Sequence, residues 1–229
     1  MKLKNIRCVH RHSIETHPAC FAQGHVDYEF QNDREWEKIT NTPWYTFPEY
    51  KIGYFDLETD GIKTDFGTAL TWCIKEKGGK IASGVITKKE LFTTIDVDKR
   101  LLQDLADELA KYKIIVTYFG TRFDVPFVRT KCMRYGIKGV FEYGNTYHFD
   151  LFYTAKSKLN LSRKSLDSVC DYLGIKGKTP IDKESWRRAK YGNPKALKEV
   201  LRHNEGDVVI TERVHEELLP FRKWIRTSV

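Results

Sequence analysis

No stretch of this 229-residue sequence is apolar enough, for long enough, to span a bilayer, so none of it is read as a membrane-spanning helix. The basic N-terminus MKLKNIRCVHRH has no apolar run behind it. It is therefore not read as a secretory signal, and the expected compartment is the cytoplasm. An even set of cysteines is also missing. The five present are Cys8, Cys20, Cys73, Cys132 and Cys170, which without a secretory context argues against a disulfide framework. Internal repeats and low-complexity tracts are absent, and so are polymerase or helicase motifs beside the main domain. Acidic charge is in short supply: 31 Asp and Glu face 39 Lys and Arg, a net charge of +8.

What is present is a globular composition, 41% hydrophobic and 31% charged. The length suits one domain with a small appendage. A basic chain, with pI near 9.1, tends to meet polyanions, nucleic acid first among them. The excess sits in RCVHRH, RTKCMRYGIK, KSKLNLSRK and WRRAKYGNPKALK. The later clusters follow apolar or helical segments, so they can line a face. Cys73, Cys132 and Cys170 lie among apolar neighbours and read as small core residues.

Residues 1–50 are rich in His, Cys, aromatics and Pro with little periodicity, and are read as an irregular extension. Residues 51–229 are regular. KIGYFDLET is a short apolar run with acids near its end, a buried strand. TALTWCIKE and GKIASGVIT follow as strands, with Gly78–Gly79 as the hairpin signal. Residues 98–111 place Leu101, Leu102, Leu105 and Leu109 on one helical face. KIIVTYFG is a strand, and FDVPFVRTKCMRYGI a helix with Pro126 near its first turn. TYHFDLFY is a strand entering a helix, and SLDSVCDYLGI a helix ended by Gly174. Residues from about 194 to 218 form an amphipathic helix. Three strands, then alternating helices and strands, then helices make an α/β layered domain with a mixed sheet.

Asp56 and Glu58 are two apart on a strand, so both point to one face. On an otherwise apolar strand they need neutralising, which a divalent cation would do; a solvated strand end would do as well. Asp124 follows a strand through a short turn, the region where open α/β sheets place their sites. The plain alternative is a helix N-cap. Asp207 lies in HNEGDVVIT beside Val208, Val209 and Ile210. An acid there wants a charged partner, either a cation or one of Arg202 and Arg213.

Taken together, DLET, YFGTRFDVPF and HNEGDVVIT resemble the three motifs of the DEDD superfamily of 3′–5′ exonucleases, of ribonuclease-H-like fold. The resemblance covers about residues 51 to 218. It implies that Asp56, Glu58, Asp124 and Asp207 hold two divalent ions, Mg²⁺ or Mn²⁺, for in-line hydrolysis of a phosphodiester. It implies a general base on the last motif, a tyrosine four residues before the final Asp or a histidine five before it. Here His203 stands four before Asp207, combining the spacing of one branch with the residue of the other. An imidazole can accept a proton near neutral pH. By the same resemblance Thr59 is a candidate for touching the terminal nucleotide, and Asp150 in HFDLF is a near-site or structural acid, not a metal ligand; Phe123, beside Asp124, is a candidate for stacking on a base, with a core aromatic as the plain alternative. Arg122, Lys164 and Arg187 are candidates for phosphate contacts.

CVHRHSIETHPACF is a separate cluster. Cys8, His12, His17 and Cys20, with His10 able to replace His12, have spacings that suit one structural Zn²⁺. Such a staple would explain how a segment without a core folds. The expected partner of the whole chain is DNA or RNA, with no membrane. The rival readings are an endonuclease of the same fold, a non-catalytic nucleic-acid-binding module, and a zinc-bearing adaptor for replication or repair partners.

Overall fold

The computed structural model describes residues 51–142, 146–177 and 179–221, together with the backbone of two short strands nearer the N-terminus. These are β1 (Arg7–Cys8) and β2 (Val26–Asp27), which pair antiparallel with Cys8 opposite Val26. The main sheet is built from β3 (Ile52–Thr59), β4 (Ala69–Glu76), β5 (Ile81–Val85), β6 (Ile114–Thr117) and β7 (Tyr147–Asp150). Its strand order is β5-β4-β3-β6-β7. The β3–β4 and β4–β5 pairs are antiparallel, whereas β6 runs parallel to both β3 and β7. The expected mixed sheet is therefore present, with the acid-bearing strand at its centre.

The hairpin between β4 and β5 closes at the two glycines, where Gly79 N–H donates to Glu76 carbonyl at 2.8 Å. Parallel strands require crossovers, and these are helical. Between β5 and β6 run α1 (Lys88–Thr93) and α2 (Lys99–Leu109); α3 (Asp124–Tyr135) joins β6 to β7. After β7 come α4 (Leu151–Lys158), α5 (Leu166–Leu173), α6 (Lys183–Lys190) and the long α7 (Pro194–Leu218). α2 buries the four leucines read from the sequence. Each fully buried leucine stabilises the fold by about 1.5–3 kcal/mol. Gly174 ends α5 at φ 68°, as its position in the sequence predicts. Pro194 opens α7, and Asn193 caps it by accepting from the N–H groups of Lys195 and Ala196 at 3.1 and 3.0 Å.

Alternation along β3 divides the core in two. Phe55 and Leu57 face one cluster, with Trp72, Leu105 and Phe127. Ile52 and Tyr54 face the other, with Val116, Val169, Val208 and Val214. Cys73, Cys132 and Cys170 are buried free thiols, as their neighbours predict.

Two helices and one strand end depart from the pattern read in the sequence. α1 buries no residue, so no apolar period announces it. It is held by a capping box in which Thr87 and Glu90 exchange hydrogen bonds. α6, KESWRRAK, is too polar and short to show a stripe, and is started by the Asp182 carboxylate on Ser185 N–H at 2.7 Å. The apolar run KIIVTYFG leaves the sheet at Thr117, and Tyr118–Phe123 form a turn instead.

Candidate active site

Asp56 and Glu58 lie on the β3 face that carries Ile52 and Tyr54, and both are half-buried. α7 covers this face. Near its C-terminal end His215 Nδ1 lies 3.0 Å from Tyr54 Oη. Further up, buried Asn204 donates through Nδ2 to Thr71 Oγ1 at 3.2 Å and to Asp56 carbonyl at 3.4 Å. Asn204 therefore seats the helix directly on the backbone of the first acid. The sequence reading passed over it, although a polar amide one turn from Asp207 in a nearly buried helix is a signal.

Asp124 is the first residue of α3, not its cap; Phe123 holds the cap position. Its Oδ1 accepts the backbone N–H of Leu57 at 3.0 Å, so the carboxylate reaches across to β3 between Asp56 and Glu58. The group is 4% exposed. Burial pushes its pKa up to about 7, with a smaller push from the charge of Asp150, against the pull of two backbone hydrogen bonds.

α7 supplies Asp207 and His203 one turn apart on one side. His203 Nδ1 lies 2.5 Å from Thr179 carbonyl. A carbonyl can only accept, so Nδ1 keeps its hydrogen and the neutral ring presents its lone pair at Nε2. That Nε2 lies 3.6 Å from Glu58 Oε1 and 3.7 Å from Asp207 Oδ2. Gly206 makes the arrangement fit. A Cβ there would meet Thr179 Oγ1 at 3.0 Å, so a mid-helix glycine, normally costing about 1 kcal/mol, lets the Thr179 segment approach the helix. Trp186 of α6 adds an edge-on contact to the imidazole, ring centres 6.3 Å apart.

Asp150 caps α4 and also pins the turn after β6. Its Oδ1 accepts from Phe152 N–H at 3.0 Å and Phe119 N–H at 2.8 Å, and its Oδ2 from Thr121 N–H at 2.9 Å. With both oxygens engaged by backbone it has the structural role expected of it. Thr59 Oγ1 donates to Gly61 carbonyl at 2.8 Å, just past the end of β3. Phe123 packs partly against the core, its ring 5.9 Å from that of Phe127. Of the three cations expected to meet phosphate, Lys164 donates to Leu161 carbonyl and Arg187 pairs with Glu184. Arg122 is exposed and reaches Tyr153 Oη at 3.3 Å.

A ligand atom from each of Glu58, His203 and Asp207 lies within 4.8 Å of the other two, a spacing that one cation can bridge. Carboxylate oxygens suit hard divalent ions such as Mg²⁺ and Mn²⁺, which take an imidazole nitrogen less readily. The buried Asp124 carboxyl, raised by desolvation, is a group that a cation would return to its charged form. The residues present thus fit a divalent metal.

A family model for the RNase_H superfamily matches residues 53–219, most of the chain. The chain belongs to the RNase_H superfamily. Its sheet order and flanking helices are those of a ribonuclease-H-like domain. This superfamily member is 26% identical over 200 residues to a DNA polymerase of Methanocaldococcus jannaschii, an alignment spanning 73% of this chain and 12% of the polymerase. It also superposes on the family B DNA polymerase of Pyrobaculum calidifontis with a TM-score of 0.59 and 20% identity, over 76% of this chain and 25% of that one. The chain therefore spans a small part of the length of these relatives. The proposed zinc ligands Cys8, His10, His12, His17 and Cys20 of this chain lie outside the residues whose side chains are described. Among the described residues no helix is long and apolar enough to cross a membrane.

Proposed function

We propose that this RNase_H-superfamily chain is a metal-dependent nuclease that hydrolyses phosphodiester bonds of DNA or RNA from the 3′ end. The observation that supports it best is the convergence of acids from three elements. Asp56 and Glu58 come from β3, Asp124 from α3, and Asp207 from α7 beside His203 Nε2. These four carboxylates would hold two Mg²⁺ or Mn²⁺ ions, which when bound polarise a phosphate and acidify a water. The relatedness to a DNA polymerase over 73% of the chain, and the net charge of +8, agree with a nucleic-acid substrate.

The rest is assigned to the chain's own groups. His203 accepts the proton of the attacking water at Nε2, with Thr179 carbonyl fixing the tautomer through Nδ1–H. Asn204 and the Asp124–Leu57 hydrogen bond hold α7 and α3 in register with β3. Thr59 and Phe123 border the site and are assigned to the terminal nucleotide. A structural Zn²⁺ on Cys8, His12, His17 and Cys20, with His10 as a substitute for His12, belongs to the same proposal.

The test is incubation of the full chain with end-labelled single-stranded and duplex DNA and RNA in Mg²⁺, Mn²⁺ or EDTA. A metal-dependent ladder shortening from the 3′ end is expected. Cutting that proceeds unchanged on a blocked 3′ end would replace the exonuclease with an endonuclease. Tight binding with no turnover in any metal would leave only a binding module.

A further inference from the structure

Phe119 is a bulky residue with φ 70°, in the left-handed region that L side chains other than Asn and Asp seldom occupy. Such strain persists only where surrounding structure imposes it, and it gathers at ligand sites. Here the imposing group is Asp150, which accepts the N–H groups of both Phe119 and Thr121. The product is not a buried ring. Phe119 stays 44% exposed at the end of β6, five residues before Asp124. Burial therefore does not offset the strain.

The ring is not isolated either. It meets Phe152 at 4.8 Å between centres and an interplanar angle of 79°. An edge-to-face contact covers at most one face of Phe119. Phe152 in turn touches Tyr118 and Tyr153 edge-on, at 6.2 and 5.5 Å. Tyr153 is 40% exposed, and exposed Arg122 reaches its hydroxyl. Tyr118 Oη donates to Lys164 carbonyl at 2.6 Å, tying the cluster to the segment that carries Arg163. Arg163 and the α4 lysines Lys156 and Lys158 are exposed. Rigid aromatic rings among cations, set beside a hydrolytic centre, have the two elements of a single-strand site: a π-face for a base and charge for the backbone.

We propose that Phe119, held by Asp150 and buttressed by Phe152, is a stacking platform for an unpaired nucleobase of the substrate. The ring thereby adds a substrate-contacting residue that the acidic motifs do not name, on the turn between β6 and Asp124. This rests on the nuclease reading above and concerns the same site.

The test is fluorescence anisotropy of the full chain, carrying Asp56→Asn to prevent cleavage, on short oligothymidylate and on an abasic oligomer of equal length. Phe119→Ala is expected to weaken oligothymidylate binding about 5- to 150-fold, from the alanine-substitution value of one stacked base. Binding to the abasic strand, which keeps the phosphates, is expected to change by no more than about twofold. Phe119→Tyr should restore the affinity, and Phe119→Leu should not. Phe119→Gly gives the fold control. Glycine takes a positive φ without steric strain, so the turn should keep its conformation, read as unchanged hydrogen exchange at Thr121, while the same affinity is lost. Equal binding of oligothymidylate by Phe119→Gly and its parent overturns the proposal. So does an equal loss on the abasic strand, which would mean that the ring only shapes the loop. The two readings fail separately. Absence of metal-dependent cleavage by the unaltered chain refutes the nuclease. Unaltered cleavage with no effect at Phe119 refutes the platform alone.

Discussion

Asp124→Asn separates the price of the site from its use. The carboxyl is buried, and that desolvation pushes its pKa up to about 7, well above the ordinary carboxylate range. A carboxyl whose folded pKa is raised favours folding while it is protonated. That contribution is complete below the unfolded pKa, near 4, and is lost as pH rises through about 7. Above neutrality, without metal, ionised Asp124 therefore destabilises the fold. The gap between about 7 and the ordinary carboxylate value corresponds to roughly 4 kcal/mol as a ceiling. Asparagine keeps an oxygen for Leu57 N–H and carries no charge. In EDTA the stability difference between Asp124→Asn and its parent should swing toward the variant between pH 4 and 8. For a chain of this size the swing in Tm is up to roughly 8–16 °C. Comparing two pH values cancels whatever the amide itself costs by packing. Scanning calorimetry on both proteins reads the swing directly. Mg²⁺ or Mn²⁺ should then raise the Tm of the parent and have little effect on the variant, because a ligand stabilises only the state that binds it. A stability difference that stays flat with pH would refute the desolvation argument. Equal stabilisation of both proteins by metal would remove Asp124 from the ion site.

Other outcomes follow from the same geometry. Asp56→Ala should abolish metal-dependent cleavage while nucleic-acid affinity stays within about threefold, measured on labelled oligonucleotides. Glu212→Ala should cost roughly 3 kcal/mol in denaturant unfolding, because Glu212 is paired with Lys75 at 2.7 Å in a mostly buried position and also accepts Gly78 N–H. A loss under about 0.5 kcal/mol would show that the pair behaves as a surface pair. Asp150→Ala leaves two turn N–H groups without their acceptor, and should destabilise by about 2–4 kcal/mol with a matching rise in hydrogen exchange at Phe119 and Thr121. Gly206→Leu drives a side chain toward Thr179 and should lower cleavage, since it displaces the acceptor of His203 Nδ1. Unchanged turnover in that variant would separate the tautomer of His203 from catalysis.

The central strand, the four-leucine helix, the glycine that ends α5, the span of α7 and the pairing of Asp56 with Glu58 on one face were legible in the sequence. Each rests on local chemistry: a period of two or 3.6, or a glycine after the last helical turn. α1 and α6 were not legible: α1 buries no residue and is held by its capping box, and α6 packs through only Ser185, Trp186 and Ala189. What only the tertiary structure decided is contact between distant segments. It set Asp124 on Leu57 N–H, Asn204 on the backbone of Asp56, and His203 with Nε2 turned to Glu58 and Asp207. It also placed Asp150 under the turn that carries Phe119. The motifs named the carboxylates, but the proton affinity of Asp124, the tautomer of His203 and the exposed ring at the edge of the site depend on desolvation and hydrogen bonds between residues far apart in the chain, which no local pattern encodes.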